Sequence, residues 1–107
     1  MSPYRRPRKE KTPESLLKDA AKKLLAYHGI ITWPMTAGLG SEPGIPDRIG
    51  LCKDGKFLAI EFKSNGRKLT PDQEDKKRQI EAAGGVFILC RELQDIIDGL
   101  NLPGRLF

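Results

Sequence analysis

The chain has 107 residues, 38% of them hydrophobic and 31% charged, and 19 Lys and Arg against 14 Asp and Glu leave a net charge of +5. This is enough for one packed core but not two. No apolar run approaches the ~20 residues of a membrane helix, and no apolar stretch follows the basic start "MSPYRRPRKEK", as a secretory leader would require. The expected setting is therefore the cytoplasm, with no membrane partner, and the basic balance suits partners that carry phosphate backbones.

Residues 1 to 11 read as a flexible arm, with Pro3 and Pro7, little apolar content and five cations: Arg5, Arg6, Arg8, Lys9 and Lys11. Residues 12 to 107 read as a single domain. Thr12 is placed to cap a helix that opens with Pro13 and Glu14. Leu16, Leu17, Ala20, Ala21, Leu24 and Leu25 recur at helical spacing, and Gly29 marks the end. His28, the single histidine, lies at that end and reads as a charge–dipole position, not a catalytic group.

"IITWPM" (30–35) predicts a strand, and its Pro34 suggests a sheet edge or a bulge. Residues 36 to 46 form a Gly/Pro-rich loop. "DRIGLC" and "KFLAIEFK" predict two strands joined around "KDG". Residues 64 to 69 are a polar loop carrying Arg67 and Lys68. Thr70, Pro71 and Gln73 then make an N-cap and a capping box for a helix running to about Ala83. Lys76, Lys77 and Arg78 add a further basic group on it. Gly84 and Gly85 end it. "VFILC" (86–90) is apolar throughout, as a buried central strand would be. "ELQDIIDGL" is a short final helix. Cys52 and Cys90 both lie in apolar runs, fit no zinc spacing, and read as reduced, buried core residues. Trp33, Leu102, Leu106 and Phe107 are candidates for exposed apolar contacts.

The order helix, three strands, helix, strand, helix predicts an α/β fold with a mixed sheet and helices on both faces. The strand–helix–strand crossover implies a parallel partner for the last strand.

The hairpin raises a question of register. A two-residue Asp54-Gly55 loop pairs residues summing to 109 and sets Asp47 against Phe62. A three-residue loop with Gly55 left-handed pairs residues summing to 108 and sets Asp47 against Glu61. The sequence permits both. In the second, Lys63 follows Glu61 on the same face. Two dry carboxylates side by side repel, and a divalent cation removes the conflict. Two acids and a backbone carbonyl such as that of Phe62 are hard oxygen ligands that suit Mg²⁺ or Mn²⁺. Such an ion can supply an activated water, with Lys63 beside it to orient that water or stabilise charge on a phosphate. Glu14 lies at the N-terminal end of the apolar stripe and can point into the same site, although on its own it is better explained by stabilising its helix start. Gln73 shares the inward face of its helix with Ile80, and its capping role and a site role are compatible.

"GIPD" followed by "EFK" resembles the core of the PD-(D/E)xK nucleases, and more narrowly the VRR-NUC family. The resemblance spans about residues 12 to 90, through "TPESLLKDAAKKLL", "AGLGSEPGIPD", "FLAIEFKSNGRKLTPDQ" and "AAGGVFILC". It implies an αβββαβ nuclease core and metal-dependent hydrolysis of DNA phosphodiesters. Asp47 and Glu61 would ligate the metal, Lys63 would assist hydrolysis, and Glu14 would act directly or through water on the metal. Gln73 would support the site. The family often has Val in place of Phe62, whose side chain points to the opposite face. The stand-alone members are similar to Holliday-junction resolvases, which implies branched DNA and a homodimer, because one site per chain makes one cut. The arm, Arg67 and Lys68 would then meet DNA. The other readings are a simple nicking nuclease, a non-catalytic DNA-binding module, and an interaction domain whose acid–lysine strand is an exposed edge.

Overall fold

The computed structural model describes residues 12–36 and 42–103, so the basic arm, Leu106 and Phe107 lie outside the described residues. Helix α1 (Pro13–Tyr27) starts where Thr12 Oγ1 accepts the Ser15 amide at 3.1 Å, satisfying one of the free donors of the first turn. Strands β1 (Ile31–Pro34), β2 (Arg48–Leu51) and β3 (Phe57–Phe62) follow, then α2 (Pro71–Ala82), β4 (Val86–Cys90) and α3 (Leu93–Gly99). Thr70 and Gln73 form the expected reciprocal capping box at the start of α2.

The sheet runs β1-β2-β3-β4, with the first three strands antiparallel and β3 parallel to β4. Pro34 accordingly sits in an edge strand. The expectation of a central position for "VFILC" is corrected, because among the described residues β4 is the other edge. Its apolar run reflects cover from both sides: α3 packs on one face and α2 on the other.

Alternation divides the sheet into two faces. Leu58, Ile60 and Phe62 of β3, with Ile88 and Cys90 of β4, point toward α1 and α3. There they build the core with Ala21, Leu24, Leu25, Ile96 and Ile97. The opposite face carries Phe57, Ala59 and Glu61 of β3, and α2 covers only its β4 side. Cys90 is buried in the core as expected, where burial pushes its thiol up to about 12, whereas Cys52 is only half-buried at the hairpin; both are free thiols. No helix among the described residues is long and apolar enough to cross a membrane.

Candidate active site

The hairpin takes the three-residue loop. Arg48 pairs with Ile60 and Leu51 with Phe57, so partners sum to 108. The loop closes through the Cys52 amide on the Lys56 carbonyl at 2.8 Å and the Gly55 amide on the Cys52 carbonyl at 2.9 Å. Gly55 has φ +88°, a left-handed conformation that a side chain would strain. One residue beyond Arg48 and Ile60, this register sets Asp47 opposite Glu61.

Two devices hold Asp47 there. Its Oδ2 accepts the Phe62 amide at 2.9 Å, which ties the acid to the end of β3. Before it, the chain is pressed against the first turn of α2. Gly44 has φ +81°, and a Cβ there would lie 2.4 Å from the Asp72 carbonyl oxygen. Glu42 is paired with Lys76 of the same helix. The glycine-rich approach is thus a clamp that fits only without a side chain at position 44.

Glu61 is 4% exposed and Lys63 8%, the two charged residues in the buried set among the described residues. Because β3 is interior, the reading of the acid–lysine strand as an exposed edge is excluded. Burial, then a hydrogen bond with Asp47 and its charge, push the Glu61 carboxyl from 4.5 up to about 8, while Lys63 and Lys18 pull the other way. Glu61 Oε1 is buried with no hydrogen-bond partner. A native protein rarely leaves such an atom orphaned, so it invites a ligand. Lys63 is fixed by its backbone, whose amide donates to the Cys90 carbonyl at 3.1 Å. The following turn is held by Arg91, whose Nη1 donates to the Ser64 carbonyl at 2.9 Å.

The other expected members stand further out. Glu14 is half-buried and pairs with Lys18 at 3.8 Å. Among the described residues no three acidic, His or Cys side chains gather closely enough to hold a metal. Gln73 is half-buried, and its Oε1 accepts the Thr70 amide at 2.9 Å, the capping role. Arg67 and Lys68 are exposed on the loop after Lys63. The Phe62 side chain is in the core, on the face away from the acids. Its amide points toward Asp47, and in a strand the carbonyl of the same residue points to the same neighbour. Sequence reasoning missed Lys18, whose Nζ lies 6.0 Å from the centre of the Phe62 ring and whose charge reaches Glu61. Its signal was its place one helical turn after Glu14.

A solved structure of a VRR_NUC domain superposes on this chain with a TM-score of 0.71, covering 85% of this chain and 97% of that one at 17% identity. The fold is that of a VRR-NUC domain. No family model matches the sequence, and no curated protein matches it. In this VRR-NUC fold the αβββαβ order and mixed sheet expected from the residues are both present.

The donor set fits a divalent cation. It offers the hard oxygens of Asp47 and Glu61, the orphaned buried Oε1 of Glu61 among them, and a carbonyl at Phe62 directed to the same side.

Proposed function

We propose that the protein is a Mg²⁺- or Mn²⁺-dependent endonuclease that hydrolyses DNA phosphodiesters. The observation that carries this reading is buried Glu61 facing half-buried Asp47, with an unsatisfied Glu61 oxygen and Lys63 on the next same-face position. A fold without a ligand to place there would gain by replacing both acids with apolar residues.

Asp47, Glu61 and the Phe62 carbonyl would hold the ion, and Glu14 would reach it through water. When bound, the ion supplies the positive charge that lets both acids ionise and that draws electrons from the scissile phosphate. Lys63 places a cation beside the developing phosphorane charge and orients the attacking water. Gln73 keeps the α2 N-terminus, and with it the Gly44 clamp, in place. Arg67, Lys68 and the arm cations Arg5, Arg6, Arg8, Lys9 and Lys11 contact the phosphate backbone.

The substrate in this reading is branched, Holliday-junction-like DNA, cut by a homodimer with one site per chain. The second reading, a DNA-binding module without catalysis, is disfavoured by a site that retains Asp47, Glu61 and Lys63 together. A cleavage panel separates these readings. Mg²⁺ and Mn²⁺ reactions are run on four-way junction, flap, single-stranded and linear duplex DNA, with cut positions mapped. Paired symmetric cuts in the junction are expected. Binding to DNA without any metal-dependent cut would support the module instead, and unpaired cuts in plain duplex a nicking enzyme.

A further inference from the structure

Two amines act on Glu61 among the described residues, Lys63 and Lys18, and they come from different sides of β3. Lys63 follows on the face of the acids. Lys18 comes from α1, on the side of the Phe62 ring, with its Nζ 6.0 Å from the ring centre. Phe62 is a buried core residue, and its backbone amide is the one that holds Asp47. The Lys18 amine therefore lies against the end of β3 where the two acids meet.

The ordinary reading of Lys18 is one half of a surface pair with Glu14, a glutamate one helical turn before a lysine. Such pairs usually stand out into water on two flexible stems and do little. This one differs in where the amine rests and in what it touches electrically. It sits at the outer limit of a cation–π contact with a core aromatic ring. Its charge reaches Glu61 as well as Glu14. Lys18 thus connects the first-turn acid of α1 to the buried acid of β3.

The attraction between Lys18 and Glu14 is one that can be exchanged. At 3.8 Å the contact is too long for a hydrogen bond, so it is Coulombic and none is broken when the two part. The side chains are 43% and 38% exposed, which leaves the amine room to turn toward solvent on its four-carbon stem. A divalent ion held by Asp47 and Glu61 would attract the Glu14 carboxylate with a double charge and repel the amine.

We infer that Lys18 is a positioning residue for Glu14: its amine and a divalent ion compete for the Glu14 carboxylate, so Lys18 lowers the affinity of the site for the ion. Lys63 and Lys18 then have separate tasks, one beside the reacting phosphate and one governing how readily the metal is taken up. The inference rests on the metal-dependent part of the proposed function.

Mn²⁺ binding to the full-length protein, without DNA, is measured by the electron paramagnetic resonance of free Mn²⁺ at pH 7 and constant ionic strength. Lys18→Gln should bind Mn²⁺ about threefold more tightly, or better, because removing a nearby like charge and freeing Glu14 both favour the ion. Lys18→Arg keeps the charge and should stay close to wild type. Lys23→Gln, exposed on the same helix, removes the same charge from the molecule and should change nothing. In a Glu14→Gln background the gain from Lys18→Gln should fall to about the level of Lys23→Gln, the mark of two residues that act together. Melting curves establish that each variant is folded. Unchanged or weaker Mn²⁺ binding by Lys18→Gln overturns the inference. So does a gain of full size in the Glu14→Gln background, since Lys18 would then act on the ion without Glu14. A wild type that binds no Mn²⁺ overturns both the inference and the metal-dependent reading. Cleavage is scored separately, so this pattern of binding without any cut DNA sinks the nuclease reading and leaves the inference standing.

Discussion

Glu61 shows most clearly how one residue trades stability for a task. Its folded-state carboxyl holds a proton up to about pH 8, against 4.5 ordinarily, chiefly because it is buried and then because Asp47 faces it. Between those values the metal-free folded protein binds more protons than the unfolded chain. Stability should therefore fall as pH rises through the window from about 4.5 to 8. The loss should be on the order of 3–5 kcal/mol, because each tenfold change in proton affinity is worth about 1.4 kcal/mol. Thermal melts of metal-free protein at pH 5 and pH 8.5 should show this drop, and Glu61→Gln should flatten it and melt higher at pH 8.5. A steeper loss in the Gln variant would mean that the acid stabilises the fold. Asp47→Asn should leave the metal-free fold at least as stable as wild type. Lys63→Met should separate binding from chemistry: cleavage is lost, while the rise in Tm with Mn²⁺ persists. Saturation at 100 times Kd is worth about 2.7 kcal/mol, a change easily resolved by calorimetry.

At the scale of elements, the site depends on two backbone devices, the hairpin register and the loop clamp on α2. Gly44→Ala adds a side chain at φ +81° and 2.4 Å from the Asp72 carbonyl oxygen. It should cost about 1–3 kcal/mol and reduce cleavage by displacing Asp47, measured by denaturant melts and single-turnover rates. Unchanged stability would mean that the loop is free to move away from α2. These elements also show what the sequence could and could not reveal. Helix starts at Thr12 and Thr70 were legible because capping is local chemistry. The two carboxylates were legible as a pair only once one of two loops was chosen, and Gly55 alone does not decide between them. The edge position of β4 was hidden, because an apolar strand reads the same whether a strand or two helices cover it. The pairing of Glu14 with Lys18 one turn on was legible only as spacing, because periodicity does not say which of two neighbours a first-turn acid meets.

For the whole molecule, the proposed function requires that surface charge bring DNA to the acids. The net charge of +5 is weighted toward the arm and the Lys63–Lys68 loop. Replacing Arg5, Arg6, Arg8, Lys9 and Lys11 by Ala should weaken DNA binding and flatten its salt dependence by about 0.9 in log–log slope for each phosphate no longer neutralised. Turnover of the saturated complex should change little. An unchanged slope in a filter-binding series would exclude the arm as a DNA contact.

The central claim of the proposed function is that half-buried Asp47 with buried Glu61 and Lys63 serves to hydrolyse phosphodiesters with a metal. The most direct measurement is Mg²⁺-dependent cleavage of a labelled four-way junction by wild type and Glu61→Gln at equal, DNA-saturating protein concentration. The account predicts metal-dependent cuts by the wild type and loss of at least a thousandfold in rate, at unchanged DNA affinity, in the variant. Cleavage by Glu61→Gln at the wild-type rate would contradict it.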